Sequence, residues 1–195
     1  MHAPLAFVLN APYLDQVELS VALQPDDANF DAKQNYLRSV GLDSRMSFPL
    51  LIDRMSSELI EYLRLCCLTP ADIGGRQLSE FEYNAPISVA NEVAALSALI
   101  EGCEVALRGY PRARAPPPRP TLSPPLPPRR RPQATSPPRV AQTEAEDAAL
   151  MENSKMFAAL PRLARMSVKL VRNEKRILLR SISVCETQIR EMSPR

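Results

Sequence analysis

The sequence predicts a mainly α fold: a single helical, orthogonal-bundle-like domain with a short N-terminal extended element and a long disordered Pro/Arg-rich insertion. Three observations lead there. Apolar residues recur at three- and four-residue steps through most of the chain, while period-two alternation is confined to one short stretch near the front. The 195 residues include five glycines and no tryptophan, so a turn-rich all-β design is disfavoured. Twelve of the 20 prolines fall between Pro111 and Pro138, a stretch that cannot form a packed element.

The extended element comes first. Val17, Leu19, Val21 and Leu23 alternate with Glu18, Ser20 and Ala22, the period of a half-buried strand, and Pro25-Asp26-Asp27 ends it. Asp27 or Asn29 can cap a helix through Phe30, Lys33, Tyr36, Leu37 and Val40, closed by Gly41. Met46 to Ile52 reads as a short extended segment, and Pro49 restricts it to an edge or a connector. Ser56 or Ser57 caps the next helix, with Leu59, Ile60, Leu63, Cys66 and Cys67 as its apolar face, and Thr69-Pro70-Ala71-Asp72 stops it. Residues 78–83 after Gly74-Gly75 fit no single period. Ser88 then caps a long helix to about Arg108, with Val89, Val93, Leu96, Ile100, Cys103 and Leu107 at helical spacing.

Composition changes abruptly at Pro111. Prolines remove backbone donors and the arginines repel one another, so the stretch to about Val140 is expected to be an extended tether. It contains a P-x-x-P-x-R spacing at Pro124–Arg129 and the triplet Arg129-Arg130-Arg131. Polyproline-binding grooves or anions could take these, but such spacings arise by chance in any Pro/Arg-rich tether. Thr143 and Glu146 stand at capping-box spacing before Ala148, Leu150 and Met151. Pro161 suits a first helical turn, from which a helix can run to about Met192.

The formal charge of +2 conceals a division. Residues 1–110 carry 7 Lys+Arg against 15 Asp+Glu, residues 111–139 carry seven arginines and no acid, and residues 155–195 carry ten bases against three acids. An acidic front and a basic end can attract each other within one fold, so the division does not call for nucleic acid. No apolar run approaches the roughly 18 residues of a membrane span. The first residues, Met1 to Leu5, lack the features of a secretory or transit peptide. With one histidine and four cysteines (Cys66, Cys67, Cys103, Cys185) but no C-x-x-C pair, no familiar zinc site can be drawn. Adjacent Cys66 and Cys67 in an apolar helix read as buried thiols in a reducing compartment, a redox role being the alternative.

Arg162, Arg165, Lys169, Arg172, Arg176 and Arg180 follow i+3/i+4 steps on the last helix, within about 80° of one another at about 100° per residue. Leu163, Met166, Leu170, Ile177 and Val184 lie on the adjacent face, expected to point to the core. The basic stripe is either a solvated face complementing the acidic front or a surface that steers an acidic protein partner; no aromatic residues interleave as nucleic-acid binding would require. Glu58 and Glu61 share a helix face and read as solvated surface. No nucleophile–base arrangement or phosphate loop is present.

Several pieces in order resemble the substrate-binding domain that follows the SET domain in the Rubisco large-subunit methyltransferase family. They are Val17–Leu23 with Asp26-Asp27, Gly41-Leu42 with Ser47–Leu50, the Leu59-Ile60-Glu61-Tyr62-Leu63-Arg64-Leu65 helix, and Pro86-Ile87-Ser88 with Asn91-Glu92. Tyr110-Pro111 with Thr143, Glu146, Asp147 and Leu150 follows, split by the insertion, then Arg162-Leu163-Ala164 with Glu174–Leu178. The resemblance implies a helical module that holds a protein substrate, such as the Rubisco large subunit or aldolase, beside a SET domain. That SET domain moves a methyl group from S-adenosylmethionine to a lysine amine.

A SET site needs an Asn-His pair, a Gly-rich donor loop and a tyrosine; this chain has no Asn-His pair and no G-x-G, and Leu5-Ala6-Phe7 would put Leu5 where the family's tyrosine stands. The chain by itself is therefore expected to be non-catalytic, with no cofactor of its own. Residues 1–14 read as a tail or a remnant of a preceding SET domain, 15–111 and 141–192 as one substrate-binding domain, and 112–140 as the insertion. Arg162, Arg165, Lys169, Arg172 and Arg176 are the candidate substrate-binding residues. The rival expectation is a stand-alone interaction or adaptor module that recruits partners through its Pro/Arg tether. A chloroplast location follows from the resemblance alone, a cytoplasmic one otherwise.

Overall fold

The computed structural model describes residues 6–13, 16–110 and 147–192, and the chain is mainly helical. These residues group into two compact units, one of residues up to Arg108 together with Asn173 onward, the other of Gly109–Arg172. The Pro/Arg tether, its P-x-x-P-x-R spacing, the Thr143/Glu146 capping box and Leu5 lie outside the described residues.

The first unit opens with an antiparallel sheet of three strands, β1 (Ala6–Tyr13), β2 (Gln16–Ala22) and β3 (Arg45–Leu51), in that order. The alternation from Val17 produces β2, whose Val17, Leu19 and Val21 are fully buried. β3 pairs Leu19 with Phe48 and Val17 with Leu50, continuing that inward face. Pro49 is tolerated because β3 is an edge strand among the described residues. β1 falls in the stretch expected to be a tail or SET remnant; its backbone pairs along β2 with a register shift between Asn10 and Tyr13.

Helix α1 (Phe30–Ser39) begins at Asn29, whose amide donates to Asp27 Oδ1 at 2.7 Å, and ends before Gly41, which supplies a φ of +76°. In α2 (Ser57–Cys66) the Ser56 hydroxyl accepts from the Leu59 amide. Thr69 and Asp72 do not merely stop α2: they form a reciprocal capping box that starts a one-turn helix, α3 (Pro70–Ile73), which Gly74 ends in the left-handed region. Residues 78–80 form a 3-10 turn. Ser88 accepts from the Asn91 amide at 3.0 Å at the start of α4 (Val89–Gly109).

Two polar clamps hold α2. Lys33 is fully buried, and its Nζ donates to Asp27 Oδ2 and to the Cys66 and Leu68 carbonyls at 2.7–2.8 Å, satisfying the open C-terminus of α2. Arg64 donates from Nε and Nη2 to Glu92 on α4, and from Nη1 to the Tyr83 carbonyl, while Asn91 Nδ2 donates to the Arg64 carbonyl. A bidentate guanidinium–carboxylate pair fixes direction as well as distance.

The buried face of α4 differs from the expected one. Asn91, Glu92, Ala95, Leu99 and Gly102 join Leu96, Cys103 and Leu107 inside, whereas Val89 is 61% exposed. Glu92 faces inward to pair with Arg64, and Ala95, Leu99 and Gly102 share its side of the helix.

The last helix, α6 (Arg162–Met192), is reached through helical residues 147–152 and α5 (Ser154–Ala159). Pro161 accepts from the Arg165 amide at 3.0 Å, as its first-turn position requires. The part of α6 in the first unit buries Glu174, Lys175, Ile177, Leu178, Ser181 and Cys185. Here too the expected face is corrected. Of its five apolar residues only Ile177 is buried; Leu170 and Val184 are half-buried, and Leu163 and Met166 are 77% and 55% exposed. The buried positions lie further round the helix, and before Asn173 the second unit buries no apolar side chain among its described residues.

Candidate functional site

The sequence-derived site residues all lie on α6, in different settings. Arg162 and Arg176 are exposed. Lys169 is also exposed, its ammonium 5.9 Å from the centroid of the Phe157 ring, within cation–π range. Arg165 is half-buried. Arg172 is half-buried as well: Nη1 approaches Met151 Sδ at 3.5 Å, and its Nε has no hydrogen-bond partner among the described residues. Arg162, Lys169 and Arg176 are thus the three most open to a partner. Arg180 of the former stripe instead lines a hollow of about 90 Å³ with Asp53, Arg54 and Met55.

A second feature escaped the sequence. α1, β3, α2 and the Tyr83 segment enclose an open groove of about 380 Å³. Its buried lining is Leu37, Phe48, Leu65 and Tyr62, and Tyr36 and Tyr83 stand half-buried beside them. Two tilted ring pairs stiffen it, Phe48 with Tyr62 at 5.3 Å and Tyr36 with Tyr83 at 5.8 Å between centroids. The Tyr62 hydroxyl donates to the Asp43 carbonyl and that of Tyr83 to the Leu78 carbonyl. Burial pushes both phenols above their usual value, so they remain neutral. Exposed Val40 and Leu42 form an apolar rim, and Glu58 and Glu61 of α2 are the charged groups of the lining. The one forewarning in the sequence was Glu58 and Glu61 on a common helix face, which read as ordinary solvated surface.

Burial pushes the Cys67, Cys103 and Cys185 thiols up to about 12 and raises Cys66 further still, the opposite of an activated nucleophile. Among the described residues no group of three or more His, Cys, Asp or Glu could hold a metal ion, and no helix is long and apolar enough to cross a membrane.

The first unit thus carries an open, tyrosine-walled groove, and helix α6 carries exposed bases. Residues 24–113 match the family model for the Rubisco LSMT substrate-binding domain. Solved structures agree on the fold: Rubisco LSMT bound to AdoMet, and the SET domain of LSMT bound to MeLysine and AdoHcy, each match 92% of this chain at 21% identity with a TM-score of 0.62. The chain spans about a third of their length, 35% in both cases. No curated protein sequence matches it.

Proposed function

We propose that this chain is the protein-substrate-binding domain of a SET-type protein-lysine methyltransferase, working beside a SET domain that lies outside its residues. The observation that carries this is the family match over residues 24–113, supported by a fold likeness along nearly the whole chain. S-adenosylmethionine is assigned in this reading to the SET domain. No Asn-His pair exists in the sequence to hold the donor, and the groove's walls are largely tyrosine, leucine and glutamate side chains. Methyl transfer is therefore assigned to the SET domain, and no step of it to this chain.

The family match supports a protein substrate, and resemblance makes the Rubisco large subunit or aldolase the first candidates. Arg162, Lys169 and Arg176 steer an acidic face of that protein by long-range attraction, with Arg165 and Arg172 supporting them from half-buried positions. The test uses the purified full chain, immobilised and offered Rubisco holoenzyme and aldolase, with labelled S-adenosylmethionine measured in parallel. Capture of one of the proteins without saturable cofactor binding is expected. Saturable cofactor binding, or capture of neither protein, would overturn the assignment.

A further inference from the structure

We propose that the groove between α1, α2 and β3 receives an extended cationic segment of the partner protein, one with arginine or lysine beside leucine or proline. The inference rests on the reading that this domain binds protein, and it adds a second, oppositely charged contact to the basic residues of α6.

The charge of the lining carries the proposal. Glu58 and Glu61 stand one helical turn apart on α2, the first exposed and the second half-buried, and no arginine, lysine or histidine lines the groove with them. Neither carboxylate has an ion-pair partner among the described residues. The nearest buried cations are already engaged: Lys33 by Asp27 and two carbonyls, Arg64 by Glu92 and Tyr83. Two unmatched anions at the lip of an apolar, aromatic cleft therefore set up a preference for positive charge.

Shape narrows the occupant further. Val40 at 50% and Leu42 at 38% exposure border the tyrosines, so an apolar side chain can bury against the rim while a neighbouring cation meets the carboxylates. The faces of Tyr36 and Tyr83 offer additional attraction to a guanidinium. Lys33, the one base on the inner side of α1, points away to the end of α2 and cannot fill this role itself.

The experiment titrates the full chain with a labelled synthetic peptide of leucine, proline and arginine, followed by fluorescence anisotropy. A matched peptide with glutamate for arginine is run in parallel. The basic peptide is expected to bind, to weaken severalfold between about 50 and 300 mM salt, and to weaken at least about tenfold in Glu58→Lys/Glu61→Lys. Glu58→Gln/Glu61→Gln, which leaves the shape intact, should give an intermediate loss, with unchanged circular dichroism in both variants.

Equal binding of the acidic peptide, undiminished binding by the lysine variant, or no binding of either peptide overturns the proposal. So does self-association abolished by the same substitutions, which assigns the groove to a second copy. Binding that appears only when residues 112–140 are deleted assigns it to the chain's own Pro/Arg segment and equally overturns it. A chain that captures Rubisco yet ignores the peptide keeps the substrate-binding function and loses the groove.

Discussion

Arg64 on α2 and Glu92 on α4 meet through two hydrogen bonds of 2.5 and 2.8 Å, with both side chains about nine-tenths removed from solvent. Because the third arm of Arg64 holds the Tyr83 carbonyl, the same side chain joins two helices and fixes one wall of the groove. Removing one partner leaves a buried charge without its counter-charge. Glu92→Ala is therefore expected to cost about 3–5 kcal/mol in urea unfolding. Replacing both with apolar residues of similar size should cost distinctly less than the sum of the single changes. A single-mutant cost below about 1 kcal/mol would show that the pair is not a structural clamp.

Lys33 makes a separate prediction. Its ammonium holds two carbonyls at the end of α2 as well as Asp27, so Lys33→Met should destabilise by about 3 kcal/mol. Asp27→Asn, at a partly exposed partner, should cost only about 1 kcal/mol. Hydrogen exchange places the effect: loss of Lys33 should speed exchange at the end of α2 before it does so in the sheet.

These two clamps also mark where the sequence was legible and where it was not. Period-two alternation at Val17–Leu23 located β2, Pro49 correctly confined β3 to an edge, and Ser56, Ser88 and Pro161 marked three helix starts. Those signals are local, carried by a few adjacent residues. Lys33, Arg64, Glu92, Glu174 and Lys175 are buried, and a hydropathy pattern sends every such residue to the surface. That is why the inward faces of α4 and α6 were read one side too far round. The groove was illegible for a related reason: Tyr36, Phe48, Tyr62 and Tyr83 come from four separate segments, and no spacing joins them. β1 lacked any signal distinguishable from a tail.

The thiols give the pH prediction. Burial pushes Cys67, Cys103 and Cys185 from 9.0 up to about 12, partly offset at Cys67 by the nearby Lys33 ammonium and reinforced at Cys103 by neighbouring Cys185 and Glu104. The native state keeps protons that the unfolded chain releases above about pH 9. This stabilisation is complete below pH 9 and is lost as the pH climbs toward 12, by at most about 1.4 kcal/mol per pH unit for each thiol. Urea midpoints at about pH 8 and pH 10.5 should fall accordingly, and the slope should shrink in Cys103→Ala/Cys185→Ala. At pH 8 a thiol reagent should leave Cys66, Cys103 and Cys185 unmodified until the chain is unfolded.

The most direct test of the central claim is a calorimetric titration of Rubisco holoenzyme with the full chain, unmodified and as Arg162→Glu/Lys169→Glu/Arg176→Glu. These three side chains are exposed, so the substitutions should leave the fold intact. Saturable binding that weakens at least about tenfold in the variant, and more so at low salt, is the expected result. Binding of equal strength in both, or none with the unmodified chain, would contradict a substrate-holding domain that uses this helix.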